Sequence, residues 1–130
     1  MAFVQERQAN YPAAIAADRK AIGALQRLIA DEPANRLLQS HLAEVQNNLG
    51  DACAQSGNVT EAEASFRQAI HLYEAIFQQD PENSGWRSRL VATWINLAHV
   101  LRQQGREQEA SDALSKTNAL SRSITTARRS

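Results

Sequence analysis

Apolar residues recur along this chain at steps of three and four, the spacing of one face of an α-helix. Between residues 36 and 55 the stripe is Leu38, Leu42, Val45, Leu49 and Ala52. Between 60 and 79 it is Ala62, Phe66, Ala69, Ile70, Tyr73, Ile76 and Phe77. Between 84 and 104 it is Trp86, Leu90, Trp94, Leu97 and Leu101. Ile15, Ile22, Leu25, Leu28 and Ile29 mark one more helix ahead of Pro33. No stretch alternates apolar and polar residues as a strand would. Breaks fall at Pro33, Gly57, Pro81 and Gly105. The pattern predicts helices over about 10–31, 34–56, 60–79, 84–104 and 107–124, after a short stub. Short breaks between long helices make neighbours antiparallel, so the expected fold is all-α, built of antiparallel helical hairpins. Thr60 and Glu63 have capping-box spacing for the helix from 60. Asn83 or Ser84 suits the start of the next, and Gly57 and Gly105 suit left-handed turns between helices.

The same phrase is written more than once. Asp31–Asn35 matches Gln79–Asn83, with Pro33 on Pro81 and Asn35 on Asn83. Asn47–Gly57 matches Ile95–Gly105, and Asn10–Ile22 matches Asn58–Ile70. All three alignments share one offset of 48 residues. A long fixed period means stacked helical units that cannot bury their faces alone.

These units resemble the tetratricopeptide repeat. Asn48-Leu49-Gly50 and Asn96-Leu97-Ala98 stand where the first helix of that repeat, helix A, carries Asn before a Leu-Gly or Leu-Ala pair. Gly57 and Gly105 follow seven residues after Gly50 and Ala98. Ala62, Phe66 and Ala69 fit helix B fully; Ala110 and Leu114 fit, and Thr117 departs. Pro33 and Pro81 close helix B. The usual unit is about 34 residues, so 14 are extra in each unit here. Seven lie between Pro33 and Gly50 and seven between Ala62 and Pro81. Seven residues make about two helical turns. Lengthening both arms equally keeps their tips level and their apolar stripes in phase. The resemblance implies hairpins stacked as a short right-handed α-solenoid. It also implies an inner, concave face lined mainly by helix A.

The register leaves the array incomplete. Shifted by one period, Met1 falls on Leu49, so residues 1–9 read as the remnant of a first helix A. Residues 10–124 then form about two and a half units, and 125–130 read as a disordered basic tail. Helix 10–31 would lack its leading partner, which makes Ile15, Ile22, Leu25 and Ile29 the expected oligomer seam.

Charge narrows the partners. Lys and Arg number 14, as do Asp and Glu. Four of the basic residues, Lys116, Arg122, Arg128 and Arg129, follow the last acid, so residues 1–115 are acidic by four charges. That body is a poor nucleic-acid surface. No apolar run approaches membrane-spanning length, and no signal peptide precedes the fold. A single cysteine, Cys53, excludes an internal disulfide. The chain is expected to be cytoplasmic.

Catalytic chemistry finds no constellation. His41, His71 and His99 form no close pair; His71 reads as solvated and His41 as partly buried at the edge of its stripe. His41 and Glu44 have a metal-bridging spacing, but no equivalent recurs in the next unit. Cys53 reads as an inert core thiol, and Trp86 and Trp94 as core. No metal, cofactor or enzyme activity is expected. What remains is a surface. The resemblance places Glu44, Asn47, Asn48, Asp51 and Gln55 on the concave face of one unit, and Asn96, His99, Arg102 and Gln103 on that of the next. In this family an Asn at the position of Asn48 and Asn96 hydrogen-bonds a peptide backbone, which suits an amide that both donates and accepts. A clamp for acidic tails would need Lys or Arg where Glu44, Asn47, Ala92 and Ile95 stand, so that ligand class is excluded. The leading expectation is a non-catalytic scaffold binding a protein or peptide segment on this face. The alternatives are an oligomerisation module through helix 10–31, with a homo-oligomer as its product, and a regulatory fragment of a larger multidomain signalling enzyme.

Overall fold

The computed structural model of the chain describes the backbone of residues 2–129 and the side chains of residues 10–83 and 85–121. Over these residues the chain forms five α-helices and no strand. They are α1 (Ala2–Asp31), α2 (Arg36–Gln55), α3 (Val59–Gln79), α4 (Ser84–Gln103) and α5 (Glu107–Arg129). Each helix packs on the next in chain order, and α2 also meets α4. The result is a short helical solenoid.

The turns are built by the same devices at positions 48 residues apart. Asn35 and Asn83 are N-caps with ψ of 102° in both cases. Their side-chain oxygens accept from the amides of Leu38 and Gly85, satisfying donors that the first helical turn leaves open. Gln39 donates to the carbonyl of Pro33, and Arg87 to that of Pro81. At the other tips Gly57 and Gly105 take φ of 91° and 75°, the left-handed region where a Cβ is strained. The amides of Asn58 and Arg106 then reach back to the carbonyls of Cys53 and Leu101, at 2.8 and 2.9 Å. This is the six-to-one bond of a Schellman close.

The start of α3 differs from the sequence expectation. The cap is Asn58, one residue past the left-handed Gly57, so Thr60 already lies inside the helix. Asn58 accepts from the Glu61 amide, and its side-chain amide donates to the Glu61 carboxylate, so the cap pairs with Glu61 and the expected Thr60–Glu63 box does not form. Glu63 is thereby left to Arg67 one turn on and to partners far along the chain.

The core follows the predicted stripes. Leu49, Phe66, Ile70, Ile76, Leu90, Leu97 and Leu101 are buried together between α2 and α5. Each such side chain stabilises the fold by about 1.5–3 kcal/mol relative to exposure. Thr117, at the position where Ala was expected, is buried because its hydroxyl donates to the Leu114 carbonyl at 2.7 Å. Trp86 and Trp94 pack half-buried against the same core.

Both ends of the chain depart from expectation. The remnant over 1–9 and the helix from 10 are one continuous helix, with Pro12 inside it. The residue one period before Gly57 is Ala9, and no residue but glycine takes positive φ among the described residues. That position lacks the glycine that makes the left-handed turns at Gly57 and Gly105. At the other end α5 continues to Arg129, past 124, because no Gly or Pro interrupts it after Gly105. The basic side chains of Arg122, Arg128 and Arg129, and Ser130 itself, lie outside the described residues.

Of the four expected seam residues, one is buried within the chain and three are half-buried. Leu25 is only 6% exposed and packs with Leu42 and Val45 of α2. Ile22 and Ile29 sit half-buried against that cluster, and Ile15 against the main core. The apolar stripe of α1 faces its hairpin partner, since α2 is the helix that the short turn at Pro33 brings alongside.

Candidate functional site

The A-type helices α2 and α4 bring several of the expected surface residues to one place. Asn96 of α4 donates from Nδ2 to Oδ1 of Asn47 on α2, at 3.2 Å. Beside this bridge lies a cleft of about 180 Å³ lined by Asp51, Ala54, Phe66, Ile95, Asn96, His99 and Val100. Its floor is apolar and its rim carries a carboxylate, an imidazole and an amide. Ile95 on the rim is 47% exposed, one of the few large apolar side chains left to solvent.

The other expected residues divide by what holds them. Glu44 pairs with Arg89 of α4 at 3.6 Å. Gln55 donates to Asp51 one turn earlier and accepts from the hydroxyl of Tyr11 on α1. Arg102 is turned towards Glu107 of α5, at 3.0 Å. Asn48 and Gln103 are exposed, do not line the cleft, and have no hydrogen-bond partner among the described residues. The amide that joins the two helices is Asn47, itself one of the expected surface residues. His41 is exposed, not partly buried, because its position falls just outside the Leu38–Leu42–Val45 stripe.

Sequence reasoning overlooked Ile95 as a site residue. Its signal was available: Ile95 lies off the Trp94–Leu97–Leu101 stripe, and its counterpart one period earlier is the polar Asn47.

An ion network ties α3 to α5 and to the turn before it. Arg106 reaches Glu63 at 2.6 Å, Arg67 reaches it at 3.0 Å, and Gln104 donates to it at 3.2 Å. Burial pushes the Glu63 carboxyl up, but these hydrogen bonds outweigh it and hold the group below the ordinary carboxylate value. Arg106 also pairs with Glu109. Arg19 pairs with Glu61, and one period later Arg67 lies 3.8 Å from Glu109. The same α1–α3 link is thus repeated as an α3–α5 link. Cys53 is fully buried, and burial followed by nearby Glu61 raises its thiol, which keeps it protonated and unreactive. Among the described residues no three His, Cys, Asp or Glu side chains gather as a metal set. No helix among them is long and apolar enough to cross a membrane.

A stack of antiparallel hairpins with matched turns defines a helical-repeat scaffold. Two family models described as Tetratricopeptide repeat match it, at residues 43–83 and 91–122. Together they span more than half of the chain, one over α2–α3 and the other over α4–α5. The chain belongs to the tetratricopeptide repeat family. These repeats generally mediate protein–protein interaction and are typically non-catalytic modules. No curated protein matches the chain.

Proposed function

We propose that the chain is a non-catalytic scaffold that holds a segment of a partner protein along the α2–α4 face, at Asn47, Asp51, Asn96 and His99. The observation that carries this reading is the cleft between the two helices, which sets exposed Ile95 and an apolar floor beside three polar side chains. Binding pockets combine an apolar body with a few placed polar groups in this way. A segment held there at micromolar affinity corresponds to about −8 kcal/mol. The test is a peptide selected from a displayed library on the intact chain. Its affinity, measured by calorimetry, should fall by about 1–3 kcal/mol when Asn96→Ala and His99→Ala are combined, from the hydrogen bonds lost. Equal affinity for both proteins moves the site elsewhere.

A second reading, oligomerisation through α1, is favoured by one observation on a different face of that helix. Ala14, Ala17 and Leu28 are exposed, Leu28 by 49%. Their counterparts one period later, Ala62, Ser65 and Ile76, are buried between α2 and α4. Sedimentation at rising concentration tests it: Leu28→Lys should abolish self-association, and a wild-type chain that stays monomeric ends the idea.

A further inference from the structure

We infer that the α2–α4 cleft selects a basic segment carrying an aliphatic anchor: the apolar side chain enters between Ile95 and the floor formed by Phe66, Ala54 and Val100, and an adjacent Lys or Arg meets the Asp51 carboxylate. The inference rests on the proposed binding role of this face and names its ligand class. Three observations carry it. The first is the charge inventory. Glu44 is neutralised by Arg89 and Arg102 by Glu107. Asp51 accepts only from the Gln55 amide and has no cationic partner among the described residues. The net charge presented at the cleft is therefore negative.

The second is the apolar floor. A volume of about 180 Å³ is several times the ~30 Å³ share of a liquid water molecule, so the cleft accommodates a branched aliphatic side chain. Exposed Ile95 at its mouth would be covered by that side chain, and covering it contributes the non-directional part of the affinity.

The third is a contrast within the molecule. The formal net charge of the chain is zero, so the negative bias is local to Asp51 and acts at short range. The cleft between α3, α4 and α5 lacks this bias: Arg67 and Glu109 on its rim pair with each other, and Lys116 is balanced by Asp112 beside it.

A random peptide library displayed on phage tests the inference. It is panned on the intact chain, with counter-selection on the Asn96→Ala, His99→Ala protein. The cleft-dependent peptides should place Lys or Arg next to Leu, Ile or Met. A synthetic copy of the strongest should lose about fivefold in affinity on Asp51→Asn, the upper end for an exposed ion pair. It should lose about tenfold on Ile95→Ala, as expected for a central apolar contact. Both positions are exposed, and unchanged thermal melts confirm that the variants fold. Cleft-dependent peptides that are neutral or acidic, or that bind Asp51→Asn as well as wild type, overturn the basic-ligand inference and leave the binding role standing. A selection that yields no cleft-dependent peptide overturns both.

Discussion

Gly50 on α2 lies directly against the ring of Phe66 on α3. A Cβ placed on Gly50 would stand 2.7 Å from both Cδ1 and Cε1 of that ring, closer than real Cβ contacts allow. One period later the same two positions hold Ala98 and Leu114. The repeat therefore keeps the joint volume of the pair while exchanging its parts, a methyl gained on one helix and an aromatic ring reduced to an aliphatic group on the other.

This pairing predicts a compensated mutant cycle. Gly50→Ala alone should destabilise by about 1–3 kcal/mol through overpacking. Adding Phe66→Leu should recover most of that loss, since it reproduces the Ala98–Leu114 pair. Urea denaturation of the two single variants and the double should show a coupling of about 0.5–3 kcal/mol. Strict additivity would mean that the ring is not what excludes a Cβ at Gly50.

Core depth separates residues that hydrophobicity alone ranks together. Phe66→Ala should destabilise by about 3–5 kcal/mol and Leu25→Ala by about 2–5 kcal/mol, as buried large-to-small changes. Leu37→Ala and His71→Ala, both at exposed positions, should fall within about ±0.5 kcal/mol. Denaturation midpoints check all four, and a Leu25→Ala protein as stable as wild type would return that residue to an intermolecular role.

The Asn47–Asn96 bridge links stability to the proposed site. Asn96 is half-buried, so Asn96→Ala leaves the Asn47 amide without its partner and should destabilise by about 0.5–1.5 kcal/mol. Asn48→Ala should leave stability within about ±0.5 kcal/mol, because Asn48 has no such partner. Equal melting points for the two variants would show that the bridge does not form in solution.

Glu63 gives the fold an acid-sensitive link. Its folded carboxyl is held below the ordinary value, so the unfolded chain takes up this proton first as pH falls. The stabilisation is full above the ordinary carboxylate range and is lost as pH drops through the lowered folded value. Glu63→Gln should destabilise by about 1–2 kcal/mol at neutral pH, the range for a charge-assisted bond reduced by solvent at the arginines. The difference between variant and wild type should shrink towards zero in strong acid. A difference that stays constant from pH 7 to pH 3 would show that the carboxylate is not what Arg106 and Arg67 recognise.

Local pattern and period were enough to predict the helices, their faces and their turns. The stripes of α2, α3 and α4 are buried as spaced, and Gly57 and Gly105 take the left-handed angles that their places between helices require. These features depend on helical periodicity and on backbone freedom, and both are properties of neighbouring residues. The family resemblance named a set of surface residues, of which Asp51, Asn96 and His99 line one cleft. What it did not contain was the choice among near neighbours. Asn47 meets Asn96 while its neighbour Asn48 stays exposed, Asn58 rather than Thr60 caps α3, and Glu63 is met by Arg106 from the turn before α5. The Asn47–Asn96 and Glu63–Arg106 contacts are settled by which elements stand opposite and at what rotation, since a shift of one residue turns a side chain by about 100° around its helix, whereas the Asn58 cap follows from the local turn at Gly57. The inward turn of Leu25 has the same origin, whereas the uninterrupted path of α1 through Ala9 is local, since no glycine stands there. The stripe on α1 named an apolar face, and only the packing of α2 against it decided that Leu25 is the member covered within the chain while Leu28 stays exposed.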